Sequence, residues 1–76
     1  MEIIKNKVTG NLIIDKDSQY QNLEADTVIV EGNKTARIFG VVKKLILIKK
    51  NATVYFHGKI KGKVVNQGGN FHAFDV

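Results

Sequence analysis

The stretch Lys43–Gly69, KKLILIKKNATVYFHGKIKGKVVNQGG, decides the fold. It holds short apolar runs, Leu45–Ile48 and Val54–Phe56, followed by Ile60 and Val64–Val65, each fenced by Lys, Asn or Gly. A helix needs apolar residues at i, i+3, i+4 and i+7, and that template places lysines on the buried face between residues 43 and 65. Strands need only short β-branched runs bordered by turn residues, which is what stands here. The stretch reads as β.

Outward from it, the same texture returns. Apolar runs begin at Leu12, Val28, Leu45 and Val64, with spacings of 16, 17 and 19 residues. A weaker series, at Tyr20, Ala36, Ala52 and Asn70, has spacings of 16, 16 and 18. Two interleaved series of nearly one period mark an internal repeat.

Two architectures fit a strand repeat of this length. One is a small antiparallel barrel or roll, with two strands and their turns per repeat. The other is a β-solenoid, with one coil of three short strands per repeat and each coil lying on the last. Tight hairpins favour Asn-Gly or Asp-Gly turns, and neither dipeptide occurs in the chain. Gly32-Asn33 and Gly69-Asn70 sit instead at equivalent places of the repeat, as coil corners do. Ala25, Ala36, Ala52 and Gly62 each lie two residues from a larger apolar side chain, which suits a narrow interior. The expected fold is therefore all-β, a short β-helix of about four coils, with the antiparallel barrel or roll as its alternative.

Residues 1–76 form one domain on this reading. Residues 1–7 serve as an N-terminal cap strand. Coils follow at about Val8–Gln19, Tyr20–Thr35, Ala36–Asn51 and Ala52–Gly68, and residues 69–76 form a C-terminal edge. Asp15–Asn22 is the least strand-like segment and is expected to be a loop.

The runs Ala25–Gly32 (ADTVIVEG), Lys43–Val54 (KKLILIKKNATV) and Gly58–Val65 (GKIKGKVV) together resemble bactofilin. The likeness covers about residues 25–70 and rests on the texture of the repeat. It implies a right-handed, three-sided β-helix that stacks end to end into filaments without nucleotide.

Composition sets the outer bounds. A domain of this size buries only roughly 60–65% of its unfolded surface, so self-association adds useful stability. Cysteine is absent, which removes disulfides and thiolate zinc sites and is compatible with a reducing cytoplasm. No stretch approaches the ~20 apolar residues of a membrane span. The expectation is a soluble, cytoplasmic protein.

The net charge of +5 conceals an asymmetry. Residues 1–33 carry three lysines against six carboxylates, a balance of −3, while residues 34–76 carry nine basic residues against Asp75 alone, a balance of +8. Lys43, Lys44, Lys49, Lys50, Lys59, Lys61 and Lys63 form the candidate basic face, with Lys59, Lys61 and Lys63 expected to project from one strand. Such a face suits an acidic protein groove or, less well, nucleic acid. Only one arginine is present, and base reading or bidentate phosphate clamping prefers Arg.

Tyr55, Phe56, Phe71 and Phe74 neighbour the lysines and invite a base-stacking reading, but Phe56 alternating inward with Val54 is better explained as core. His57 and His72 read as surface residues sharing one side, too few to hold a metal. Ser18 has no histidine base nearby in sequence, and no phosphate-binding glycine motif occurs. No catalytic residue, metal or cofactor is expected. Phe71, Phe74 and Val76 form an apolar edge suited to self-association. The leading expectation is a non-catalytic homo-oligomer joined through terminal coils. A small inhibitor or adaptor, such as a phage-encoded one, docking on an acidic or nucleic-acid-binding groove is the alternative, and non-specific nucleic-acid binding comes third.

Overall fold

Among the described residues every strand pairing is parallel, and each joins one coil to the next. The computed structural model describes residues 1–74. It contains β1 (Glu2–Ile4), β2 (Val8–Ile14), β3 (Ser18–Val30), β4 (Thr35–Ile48), β5 (Thr53–Ile60), β6 (Lys63–Asn66) and β7 (Asn70–Phe74). The fold is a β-solenoid of about four coils, and the antiparallel alternative is excluded.

Each coil has three sides. Side A stacks β1, the start of β3, the start of β4, the start of β5 and β7. Side B stacks the first half of β2, the middle of β3 and of β4, and the end of β5. Side C stacks the second half of β2, the ends of β3 and β4, and β6. Register breaks at Tyr20/Leu23, Gly10/Asn11 and Ala25/Thr27 mark the bends between sides.

The corners repeat with the coils. The amide of Glu31 donates to the Ile14 carbonyl at 3.0 Å, that of Lys49 to Val30 at 3.1 Å, and that of Gln67 to Ile48 at 2.8 Å. One hydrogen bond is thus made three times, a rung apart. Asn33 and Asn51 adopt left-handed backbone at this corner, a conformation asparagine tolerates better than most side chains. At the A–B bend, Gly58 has φ +140°, and a Cβ there would run into the Gly40 carbonyl oxygen of the rung above. Only glycine lets the backbones come so close.

Inward side chains form columns along the axis. Ser18, Ala36 and Val54 make one, Tyr20, Ile38 and Phe56 the next, and Val28 stands over Ile46 on side C. All of these are buried, Ile38, Ile46 and Val54 completely. Burying each large aliphatic or aromatic side chain contributes about 1.5–3 kcal/mol. The core is therefore an axial stack whose small and bulky members alternate from column to column. Burial also raises the Tyr20 hydroxyl pKa above its usual value.

Three expectations need correction. Ser18–Asn22 is strand, because Ser18 and Tyr20 point inward and pair with β1 on one side and β4 on the other; only residues 15–17 turn the corner. The repeat is also shifted from the runs that announce it: Ala36 lies on Val54, whereas buried Ala52 sits at a corner, and Val28 lies on Ile46 rather than Leu45. A one-residue slip exchanges inside for outside, so run starts mislead where faces do not. Gly62, finally, is an exposed corner residue pressed under the Lys44 backbone and is no part of the interior.

Candidate functional site

The candidate lysines divide between two corners. Lys43 and Lys44 form the B–C corner of the third coil, and the Lys61 amide donates to the Val42 carbonyl at 2.8 Å to lay the next corner on it. Lys59 follows on side B below Val41, and Lys63 on side C below Leu45. β5 ends at Ile60 and β6 begins at Lys63, so Lys59, Lys61 and Lys63 spread around a bend instead of projecting from one strand. Five ammonium groups thus surround one corner over two rungs.

Lys49 and Lys50 belong to the opposite corner. The Lys49 Nζ lies 2.6 Å from Glu31 Oε1, one rung away, and is largely neutralised. Lys50 lies along Gly68. Towards the first coils the same corners carry carboxylates, with Asp26 above Lys43 and Lys44, Asp15 above Glu31, and Asp17 accepting from the Thr35 amide at 2.8 Å, while Lys16 and Lys34 offset part of that charge. The Glu24 carboxyl, 2.7 Å from Lys7, titrates below its usual range because that ammonium hydrogen-bonds to it and Lys7, Lys43 and Lys61 place positive charge nearby.

The ends are the second candidate. At the first end, the outer edges of β1 and β2 have no strand partner among the described residues, and partly exposed Ile4, Val8 and Leu12 continue the core columns. At the last end, β6 and β7 do the same, with Ile60, Val64 and Phe71 closing the columns. Val64 lies directly on fully buried Ile46, yet is 42% exposed because no further rung among the described residues covers it. The Asn66 side chain closes its own corner, accepting from the Gly68 and Gly69 amides at 3.1 and 2.7 Å.

Phe71 points inward onto Val54, whereas Phe74 points outward and stacks on His57 at 4.7 Å. Val76 lies outside the described residues. The two members of the proposed edge that are described therefore face different directions.

Side A carries an arrangement that reasoning from sequence missed. Phe39, His57 and Phe74 form one outward ladder, with ring centroids 4.5 and 4.7 Å apart and planes within 11°. Beside it, the Arg37 guanidinium lies 5.7 Å from the Tyr55 ring, and Tyr55 stacks on His72 at 5.1 Å. Their positions, 39, 57 and 74 or 37, 55 and 72, follow the repeat spacing, so projecting the aromatic residues onto the period would have found them. The inner ring faces of these ladders are occupied by other rings, while Phe39, Phe74 and His72 at their ends each have one face without a ring partner among the described residues. A shallow concavity of about 290 Å³ lies above Phe39, lined by Gln19 and Gln21. Phe56 is buried in the core.

Among the described residues there is no group of three or more His, Cys, Asp or Glu side chains placed to hold a metal. No helix among the described residues is long and apolar enough to cross a membrane. No family model, curated protein or solved structure matches this chain.

Proposed function

We propose that this is a non-catalytic structural protein that assembles by stacking its terminal coils, as the resemblance to bactofilin implies. One observation carries the reading: side chains that are fully buried in the middle coils have end-coil counterparts, Val64 and Leu12, that are left partly open on unpaired strand edges. Such edges are templates for another strand, and solenoids that remain monomeric blunt them with polar caps.

Head-to-tail stacking extends the parallel ladder and sets the basic last coil against a first coil whose charges balance, with Glu2, Asp15 and Asp17 against Lys5, Lys7 and Lys16. Tail-to-tail contact would bring Lys59, Lys61 and Lys63 against their own copies. One residue opposes the head-to-tail arrangement. Glu2 heads the column of Ser18, Ala36, Val54 and Phe71, so a carboxylate would approach the new core.

Light scattering after size exclusion, with negative-stain imaging, tests the reading. A concentration-dependent series of species is expected. Val64→Lys should collapse it to the smallest species, and Glu2→Leu should lengthen it. A strict monomer at all concentrations would remove the proposal.

A second reading rests on the five lysines around the B–C corner, which offer a compact positive surface to an acidic protein partner. Nucleic acid suits the surface less well, because the chain has a single arginine, and base reading or bidentate phosphate clamping prefers Arg. Charge reversal at Lys59, Lys61 and Lys63 that removed docking while sparing assembly would support this second role.

A further inference from the structure

Side C carries an aliphatic stripe on its outer surface. Ile13, Ile29, Leu47 and Val65 occupy one register position on four successive rungs. In each of the first three, both sequence neighbours face the interior. Ile13 is 61% exposed and Val65 39%, while Ile29 and Leu47 are half-covered by their own ladder neighbours. Leu45 widens the stripe on the third rung. Outward positions of a solvated sheet are ordinarily polar, and a contiguous apolar stripe marks a contact surface.

We infer that the outer face of side C is a lateral, two-fold interface with a second copy of this chain, the two solenoid axes running antiparallel. The stripe alone would not identify its occupant. The charges at its two borders do.

The B–C border runs from Asp26 on the second rung to Lys43 and Lys44 on the third and Lys61 on the fourth. The opposite border runs from Asp15, Lys16 and Asp17 through Glu31 and Lys34 to Lys49 and Lys50, and ends in neutral Gln67. On both borders the balance shifts from acidic or neutral on the early rungs to basic on the third. A two-fold axis along the strand direction pairs the second rung of one copy with the third of the other, and the first with the fourth. Ile29 then faces Leu47 of the second copy, and Ile13 faces Val65.

The same operation sets Asp26 against Lys43 and Lys44 of the second copy. It also joins the two Glu31–Lys49 pairs into a square of alternating charge. A two-fold axis along the solenoid instead places Lys43 and Lys44 against Lys49 and Lys50, and Asp26 against Glu31. Like-charge contacts at both borders disfavour that arrangement. An isologous patch must complement itself, and only the antiparallel operation makes this one do so. Lateral pairing leaves both ends of the solenoid free, so it stands independently of the end-to-end reading.

The absence of native cysteine allows a direct test. Ile13→Cys and Val65→Cys are prepared as separate full-length variants and treated, singly and mixed, with a bis-maleimide matched to the roughly 10 Å spacing of packed sheets. Positions 13 and 65 are three rungs apart, roughly 14 Å along the axis. The antiparallel pair therefore predicts a cross-linked dimer in the mixture and little in either variant alone. Head-to-tail stacking would lay Val65 of one copy on Ile13 of the next and give the same product, so Leu47→Glu is added to both variants. It should abolish the lateral product, Leu47→Ile should preserve it, and a product that survives Leu47→Glu would overturn lateral pairing. A dimer from Ile13→Cys alone would overturn the geometry. No product in any tube, while light scattering still shows end-to-end oligomers, would overturn lateral pairing and leave axial stacking intact.

Discussion

The third and fourth coils are built from the same repeat, and what separates them is whether another rung lies beyond. In the third, Ile38, Val42, Ile46 and Ile48 are sealed from solvent. In the fourth, Phe56, Ile60, Val64 and Asn66 occupy the equivalent positions. Phe56 is sealed because Ala73 on β7 still covers it, Ile60 is half-open, and Val64 is exposed. Burial in a solenoid is therefore granted by a neighbour, coil by coil. A terminal rung is a core half built, and a second molecule can complete it.

The largest effect should come from a side chain with rungs on both faces. Phe56→Ala is expected to cost about 3–5 kcal/mol, close to the whole stability of a domain this size. Phe71→Ala, on the outermost rung, should cost clearly less. Denaturant melts of the two variants compare them, and equal losses would mean that the last rung is as well supported as the middle.

Next comes the bend that lets the coils touch. Gly58→Ala would drive a methyl group into the Gly40 carbonyl and hold alanine at a φ of +140°. A loss of about 1–3 kcal/mol or more is expected. Gly10→Ala shares the positive φ but has nothing within 4 Å of the added carbon. It should be milder in the same thermal melt.

The smallest effect is electrostatic. Glu24 has its carboxyl pKa lowered from 4.5 by Lys7, so the pair supports the fold above that pH and its support is lost as pH falls through the lower folded value. Melting temperatures of the parent and of Glu24→Gln should converge slightly towards acid pH, and more weakly in high salt because the pair is exposed.

Much of the fold was legible because a solenoid writes its period into the chain. β-branched runs bordered by Gly and Asn gave strand, their spacing gave coils, and the missing Asn-Gly turn pointed away from hairpins. Register was not legible from run starts. Leu45 opens its run but faces out, and Ala52 looks like a strand residue but fills a corner. Ser18–Asn22 is polar in sequence and still forms strand, because coils above and below supply the pairing that its own propensity does not.

The surfaces were less legible still. The lysines were visible, but their division between two corners depends on where β5 stops. The side A ladders and the side C stripe arise only when residues 16 to 18 apart are laid on one another.

Peptide-resolved hydrogen exchange across a range of protein concentration tests the account most directly. β4 should exchange slowly and independently of concentration, because its rungs are completed within the chain. β6, β7 and the outer edges of β1 and β2 should gain protection as concentration rises. Terminal strands that exchange at one rate throughout, while the middle coils stay protected, would contradict the view that a second molecule completes the end rungs.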